Sequence, residues 1–219
     1  MPSATFDRLP QEKHERIIQK CFEEFSANSY KEASISKIVS ELRIAKGSIY
    51  KYFENKHDLY VYLIERAAEI KLSYIAHQLD GRLDADTDLL WEVVQSGSAF
   101  DVRHPLITRF LNRVLSDSSN ENDAQIKDFI QEKSNAFLLG YVQKGQKSGA
   151  IRSDIDTQTI SLYINMVLTG AGSMLAQKHN TNLDDYLHQF QDAKDIADTT
   201  LVGELEDIYK LLQNGIKKQ

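Results

Sequence analysis

An all-α fold is predicted by three properties of the 219-residue sequence. Apolar residues recur at helical spacing along nearly its whole length, period-2 alternation is nowhere sustained, and only 3 Pro and 10 Gly are available for tight turns. The length suffices for one large or two small domains. A single Cys excludes a disulfide framework and a Cys-based zinc site. The opening residues MPSATFDRLPQEKHER lack an apolar stretch, so no secretory leader is expected and a cytoplasmic protein is the default. The net charge of -6 counts, over the whole chain, against a nucleic-acid binder.

In chain order, Ile17, Ile18, Cys21, Phe22 and Phe25 form the apolar stripe of a first helix over 11–27. Ile35, Ile38, Val39 and Leu42 mark a shorter second helix, with Ser34 placed to cap its free N–H groups. Ile49 and Phe53 mark a third. A long fourth helix starts after Asn55, with Asp58 three residues on as a relative of the capping box, and carries Leu59, Leu63, Ala67, Ile70 and Tyr74 towards Leu79. Beyond it, helices are expected at 87–100, 105–116, 124–147, 157–178 and 200–217, with 184–195 in addition. The breaks fall near 81, at His104-Pro105, and over 116–123, 147–154 and 178–182.

Residues 34–53, SISKIVSELRIAKGSIYKYF, read as helix, tight turn at Leu42–Ala45, and helix. Lys46, Ser48, Tyr50, Lys51 and Tyr52 are then expected on the outer faces of the second of these helices. Ser and Lys can reach base edges in a major groove, while Tyr hydroxyls and Lys ammonium groups can hold phosphate. Gly47 leaves room for close approach to a duplex. Six Lys and Arg against three Glu between 30 and 56 make this stretch locally basic. The same pattern also describes a helix pair that serves only packing, with a solvated basic face.

The stretch FEEFSANSYKEASISKIVSELRIAKGSIYKYFENKHDLY (22–60) resembles the DNA-binding domain of the tetracycline-repressor (TetR) family of transcriptional regulators. Phe25, Tyr30, Ser34, Ile35, Ile38, Lys46, Gly47, Ser48, Ile49, Tyr50, Tyr52, Phe53, Asn55, Lys56 and Leu59 sit at the family's spacings. GAIRSDID (149–156) resembles the lead into its dimerisation helices. The resemblance implies a helix-turn-helix domain over 1–56 and a helical ligand-binding and dimerisation domain over 57–219. It places Lys46, Gly47 and Ser48 at base edges, and Tyr50, Lys51 and Tyr52 at bases or phosphates. It places Lys56 on the DNA backbone and Ser34, Ser36 and Lys37 beside the groove. Three positions depart from the family pattern: Ser29 and Arg43 replace Gly, and Ala45 replaces a capping Ser. A left-handed backbone at Arg43 would cost ~1 kcal/mol, compensated if the guanidinium reaches a phosphate.

Residues 157–177 carry no charge over a length that could span a membrane, but Gln158, Thr159, Ser161, Asn165, Thr169, Ser173 and Gln177 interrupt them, so burial between protein surfaces is expected instead. With the helix at 200–217, this segment is where the resemblance places a homodimer interface, and two-fold symmetry then implies a palindromic DNA operator. Trp91, Phe100, Phe110, Phe137, Tyr141, Tyr163 and Met166 are the residues expected, again by resemblance, to line a cavity for a small lipophilic or aromatic inducer; ordinary core is the alternative. No catalytic constellation, phosphate-binding loop or metal-ligand spacing occurs among the 6 His or elsewhere, and no cofactor is implied. The expected protein is a ligand-responsive repressor; the rival is an all-α binding protein or enzyme with a structural helix-turn-helix. Residues 1–57 hold 10 Lys and Arg against 8 Asp and Glu, leaving 16 against 24 in the remainder. The acidic total belongs to the second region, and the whole-chain charge averages two different surfaces.

Overall fold

The structure is a computed structural model that describes residues 2–79, 87–116, 123–193 and 198–217, with the backbone alone at 87–88, 123–134 and 136. The described elements are helical and fall into two compact units, residues 1–70 with 106–128 and residues 71–105 with 129–219. The expected breaks at 81–86 and 117–122 lie outside the described residues.

The first unit contains α1 (Ala4–Asp7), α2 (Gln11–Ala27), α3 (Ile35–Leu42), α4 (Lys46–Tyr52), the start of α5 (Lys56–Gln78) and α7 (Pro105–Ser116). Helices of about two turns cannot persist in water alone, so packing has to hold α3 and α4. Ile17, Cys21, Phe25, Ile38, Ile49, Phe53, Leu59 and Leu63 supply it, each almost fully buried. Cys21 is part of this core, and burial pushes its thiol up to about 12, so it stays neutral.

Local chemistry sets the element ends. The Ser34 hydroxyl accepts from the Lys37 N–H at 3.3 Å. Glu24, buried on α2, accepts from the Ser34 N–H at 2.9 Å and pairs with the Lys37 ammonium at 2.8 Å, joining α2 to the start of α3. At the other end, Arg43 adopts the left-handed conformation (φ 55°, ψ 41°). The Arg43 N–H donates to the Ser40 carbonyl and the Ile44 N–H to the Val39 carbonyl, which closes a Schellman turn between α3 and α4. Asn55 and Asp58 act as read from the sequence, except that Asp58 accepts from the Glu54 N–H while Asn55 accepts from that of Asp58.

The second unit contains the rest of α5, α6 (Thr87–Arg103), most of α8 (Asp123–Ser148), α9 (Thr157–Lys178), α10 (Leu183–His188) and α11 (Thr200–Ile216). It has two apolar cores, one around Val142, Ile151, Ile164 and Leu212, the other around Ala171, Leu175, Tyr186, Leu201 and Leu205. The loop before α9 is tied down by the Ile151 N–H to Gly145 O, the Arg152 N–H to Ile216 O, and Gln146 Nε2 to the carbonyls of Arg152 and Ile155. A Cβ at Gly145 would lie 2.5 Å from Ile151 Cδ1, so this crossing requires glycine. The Asp156 side chain caps α9 through the Thr159 N–H. Glu204 of α11 accepts from Lys178 Nζ (2.6 Å) and the Tyr186 hydroxyl (2.7 Å) and meets His179 Nε2 (2.9 Å), joining α9, α10 and α11 at one carboxylate.

Three features differ from the sequence expectation. Residues 4–7 form a helix where only a leading segment was expected, because Phe6 finds a fully buried site. The helix expected over 184–195 is described only as Leu183–His188, and residues 194–197 lie outside the description. The compact units do not divide at residues 56 and 57. The first fifteen residues of α5, 56–70, pack in the first unit, and α7 joins them because Phe110 sets its ring edge-on against Phe22 (5.1 Å) and Tyr60 (5.8 Å).

Candidate functional site

The tight Schellman turn delivers α4 with its start at the surface of the first unit. Lys46, Gly47, Tyr50 and Lys51 are exposed, as are Arg43 in the turn and Ser36 and Lys37 on α3; Ser34 and Ser48 are half-buried. Among the described residues Arg43, Lys46 and Lys51 form no ion pair, whereas Lys37 is engaged with Glu24. Unpaired surface cations can exchange counterions for phosphates without first breaking an internal contact. A Cβ at Gly47 would meet nothing within 4 Å, so nothing inside the chain demands glycine there. Ala45, at the N-cap of α4, supplies no side-chain cap; the Ser48 N–H donates to the Ala45 carbonyl at 2.8 Å, and no side chain of the N-cap engages the N–H groups of Lys46 and Gly47.

Two residues expected on this surface are placed elsewhere. Tyr52 is only 7% exposed, with its ring 5.4 Å from that of Phe6. It follows Ile49 by three positions and therefore shares the inward face of α4, a consequence of helical spacing that the outward assignment overlooked. Lys56 is half-buried and turned inward. Its ammonium donates to the Lys31 carbonyl at 3.2 Å and lies 4.9 Å from the centre of the Tyr30 ring, and burial lowers its pKa. It fastens α5 to the segment before α3. The expected contact residues that remain at the surface are Arg43, Lys46, Gly47, Tyr50 and Lys51, with Ser36 and Lys37 on α3 and the half-buried Ser34 and Ser48 beside them.

The residues expected to line a cavity are distributed over both units. Phe110 is a core residue of the first. In the second, Phe100 is fully buried, stacked on His104 at 4.6 Å and edge-on to Tyr74 at 5.5 Å. Trp91, half-buried, lies 5.1 Å from Tyr209. Tyr141 is buried and Phe137 and Tyr163 are half-buried, all against the first of the two cores. Met166 is 66% exposed and lines nothing; it shares an outer face of α9 with Leu162 (50%) and Met174 (69%) because they are spaced by four and eight residues. Leu211 of α11 is exposed to 72% as well. Trp91 and Val94 touch both cores, and every residue from 91 to 98 of α6 is half-buried. α6 thus lies between the two cores and packs against both through Trp91 and Val94.

Among the described residues no group of three or more His, Cys, Asp or Glu side chains is arranged to hold a metal ion. α9 is long and apolar enough to cross a membrane by length and composition, with mean hydropathy 1.3 and about a third of it buried in the chain.

Comparison with known proteins bears on the same residues. Residues 17–63 match the family model described as bacterial regulatory proteins, tetR family. A fatty acid metabolism regulator protein of Bacillus subtilis (strain 168) is 25% identical over 148 residues, 67% of this chain and 74% of that one. The crystal structure of a TetR family transcriptional regulator from Chloroflexus aurantiacus J-10-FL shares 27% identity over 100% of both chains, with a TM-score of 0.75. The transcriptional regulator FadR of Bacillus subtilis, solved in complex with stearoyl-CoA, shares the fold at 20% identity, covering 93% of this chain and 99% of that one with a TM-score of 0.68. A helix-turn-helix with an open, cationic second helix, a matching family model over that segment and a full-length structural counterpart agree. Residues 17–63 thus carry a tetR-family helix-turn-helix, and the whole chain is similar in fold to a TetR family transcriptional regulator.

Proposed function

We propose that the protein is a homodimeric repressor that reads a palindromic operator through α4 and releases it when a fatty acyl thioester occupies the second unit. The observation that carries the DNA reading is the strip of unpaired cations and donors around Gly47 on α4. Phosphate contacts from Arg43 and Lys51 would set the register, and Lys46, Ser48 and Tyr50 would meet base edges. The exposed apolar face formed by Leu162, Met166 and Met174 on α9 and by Leu211 on α11 supports dimerisation there, since side chains of this size are seldom left in water together. Two copies would present α4 about one helical turn of DNA apart, ~34–36 Å.

The acyl ligand is supported by the curated relative's role in fatty acid metabolism and by the half-buried apolar residues Trp91, Val93 and Val94 of α6 with Phe137 and Tyr163. Arg103, whose Nη1 donates to the Tyr74 hydroxyl at 3.2 Å, stands near its aromatic end as a counter-charge for a phosphate-bearing carrier. Ligand and operator would then bind with reciprocal coupling, each lowering affinity for the other by the same factor.

Selection of bound duplexes from a random pool tests the first half. A palindromic consensus is expected, with binding weakened by Lys46→Ala and Tyr50→Phe; equal binding by both variants at matched salt would contradict the assignment. Titration of the duplex-bound protein with long-chain acyl-CoA tests the second half. Release is expected with the thioester and not with free CoA, and a saturating acyl-CoA that leaves duplex affinity unchanged sinks the ligand assignment.

A further inference from the structure

α4 is seven residues long and has no side-chain cap at its start, so little of its own chemistry holds it in place. The carbonyls of its last turn have no partners within the helix, apart from Ile49 O, which accepts from the Phe53 N–H. Two of the remaining carbonyls are satisfied from a distant part of the sequence. The Ser3 N–H donates to Tyr52 O at 2.8 Å, and the Ser3 hydroxyl donates to Lys51 O at 2.7 Å. Three residues later Phe6, fully buried, sets its ring 4.9 Å from Phe53, 5.4 Å from Tyr52, 4.3 Å from His14 and 5.8 Å from Tyr62. These rings belong to α2, α4, the residue after α4, and α5. The segment therefore ties the far end of α4 to the two helices that frame it. It lies outside residues 17–63, which the family model matches, and outside the helix-turn-helix itself.

We propose that Ser3 and Phe6 form a clasp that positions α4 for DNA. Ser3 and Phe6 are positioning residues: neither is on the groove face, and both act through the orientation of Lys46, Gly47, Ser48 and Tyr50. The clasp occupies the end of α4 opposite the uncapped start, so its two hydrogen bonds offset the missing Ala45 cap without occupying the groove-facing N–H groups. The inference rests on the reading of α4 as the recognition helix.

The test uses the full chain and the duplex selected above. Ser3→Ala removes one donor. Ser3→Pro removes both and sets the ring against Tyr52 O, yet suits the extended backbone there (φ -76°, ψ 154°). Ser3→Thr keeps both donors. Two hydrogen bonds correspond to roughly tenfold in affinity, so Ser3→Pro is expected to lose about that much on the selected duplex. Ser3→Ala should lose part of it and Ser3→Thr nothing, with binding to a scrambled duplex within twofold throughout. Amide exchange of residues 46–52 in the free protein should accelerate in Ser3→Pro. Unchanged exchange refutes the clasp, and so does affinity for the selected duplex within twofold of wild type. A parallel fall on selected and scrambled duplexes refutes positioning in favour of general destabilisation. If wild type selects no duplex while exchange still accelerates in Ser3→Pro, the recognition role of α4 fails, and the positioning role with it.

Discussion

Gly47→Ala should move stability and DNA binding in opposite directions. Gly47 is the second residue of α4, is exposed, and has no positive φ, and an added Cβ meets no atom of the chain within 4 Å. Inside the protein the substitution therefore costs no contact and gains helix propensity, about 0.5–1 kcal/mol at a helix interior and towards the lower figure this close to the end. At the DNA the methyl group enters a surface that has to approach base edges closely. A misfit of one methyl in a packed interface costs about 1–3 kcal/mol, which is at least fivefold in affinity. Urea unfolding followed by circular dichroism would read the first effect, and fluorescence anisotropy with the selected duplex at fixed salt the second. A variant that is more stable and binds the duplex as well as wild type refutes the placement of Gly47 at the groove. A variant that is less stable refutes the claim that the space around it is open.

Three further outcomes follow from particular contacts. Arg43→Gly removes a left-handed non-glycine residue and should raise unfolding free energy by up to about 1 kcal/mol, while lowering the slope of log affinity against log salt by about one if the guanidinium meets a phosphate; an unchanged slope excludes the phosphate role. Met166→Glu with Leu211→Glu should yield a folded monomer in analytical ultracentrifugation and abolish binding to the palindrome, whereas a persistent dimer would move the interface off α9 and α11. Glu204 is held down to about 2, first by the hydrogen bond from Lys178 and then by those from Tyr186 and His179. A carboxyl that binds its proton more weakly when folded stabilises the fold above its ordinary value of 4.5, and that contribution fades as pH falls towards 2. Glu204→Gln should therefore lower the thermal midpoint at pH 7 and flatten its decline between pH 4.5 and 2; a parallel decline in variant and wild type would exclude the carboxylate as its source.

Much of the helix content was legible because the signals that set it are local. Helical spacing located α2, α3, α5, α7 and α9 to within a residue or two, and side-chain oxygens at Ser34 and Asn55 announced two helix starts by their reach to N–H groups three residues on. The left-handed backbone at Arg43 was suggested only by the family resemblance, in which Gly stands there. The candidate DNA surface was partly legible. Tyr52 belongs to the inward face by spacing alone, yet its polar hydroxyl suggested otherwise. Lys56 turns inward because a carbonyl and an aromatic ring from the preceding loop lie within reach, and no local pattern encodes that.

The sequence by itself therefore determined most of the helices, the caps at Ser34 and Asn55, and the exposed character of Lys46, Gly47 and Lys51, because hydrogen bonding and amphipathic spacing act over three or four residues. Only the tertiary structure decided that Phe6 grips α4 from forty-six residues away, that Phe110 joins the first unit's core, and that Met166 faces out of α9. Burial of an aromatic or apolar side chain is worth kcal/mol only where another element supplies the matching surface, and which element does so is settled by long-range packing.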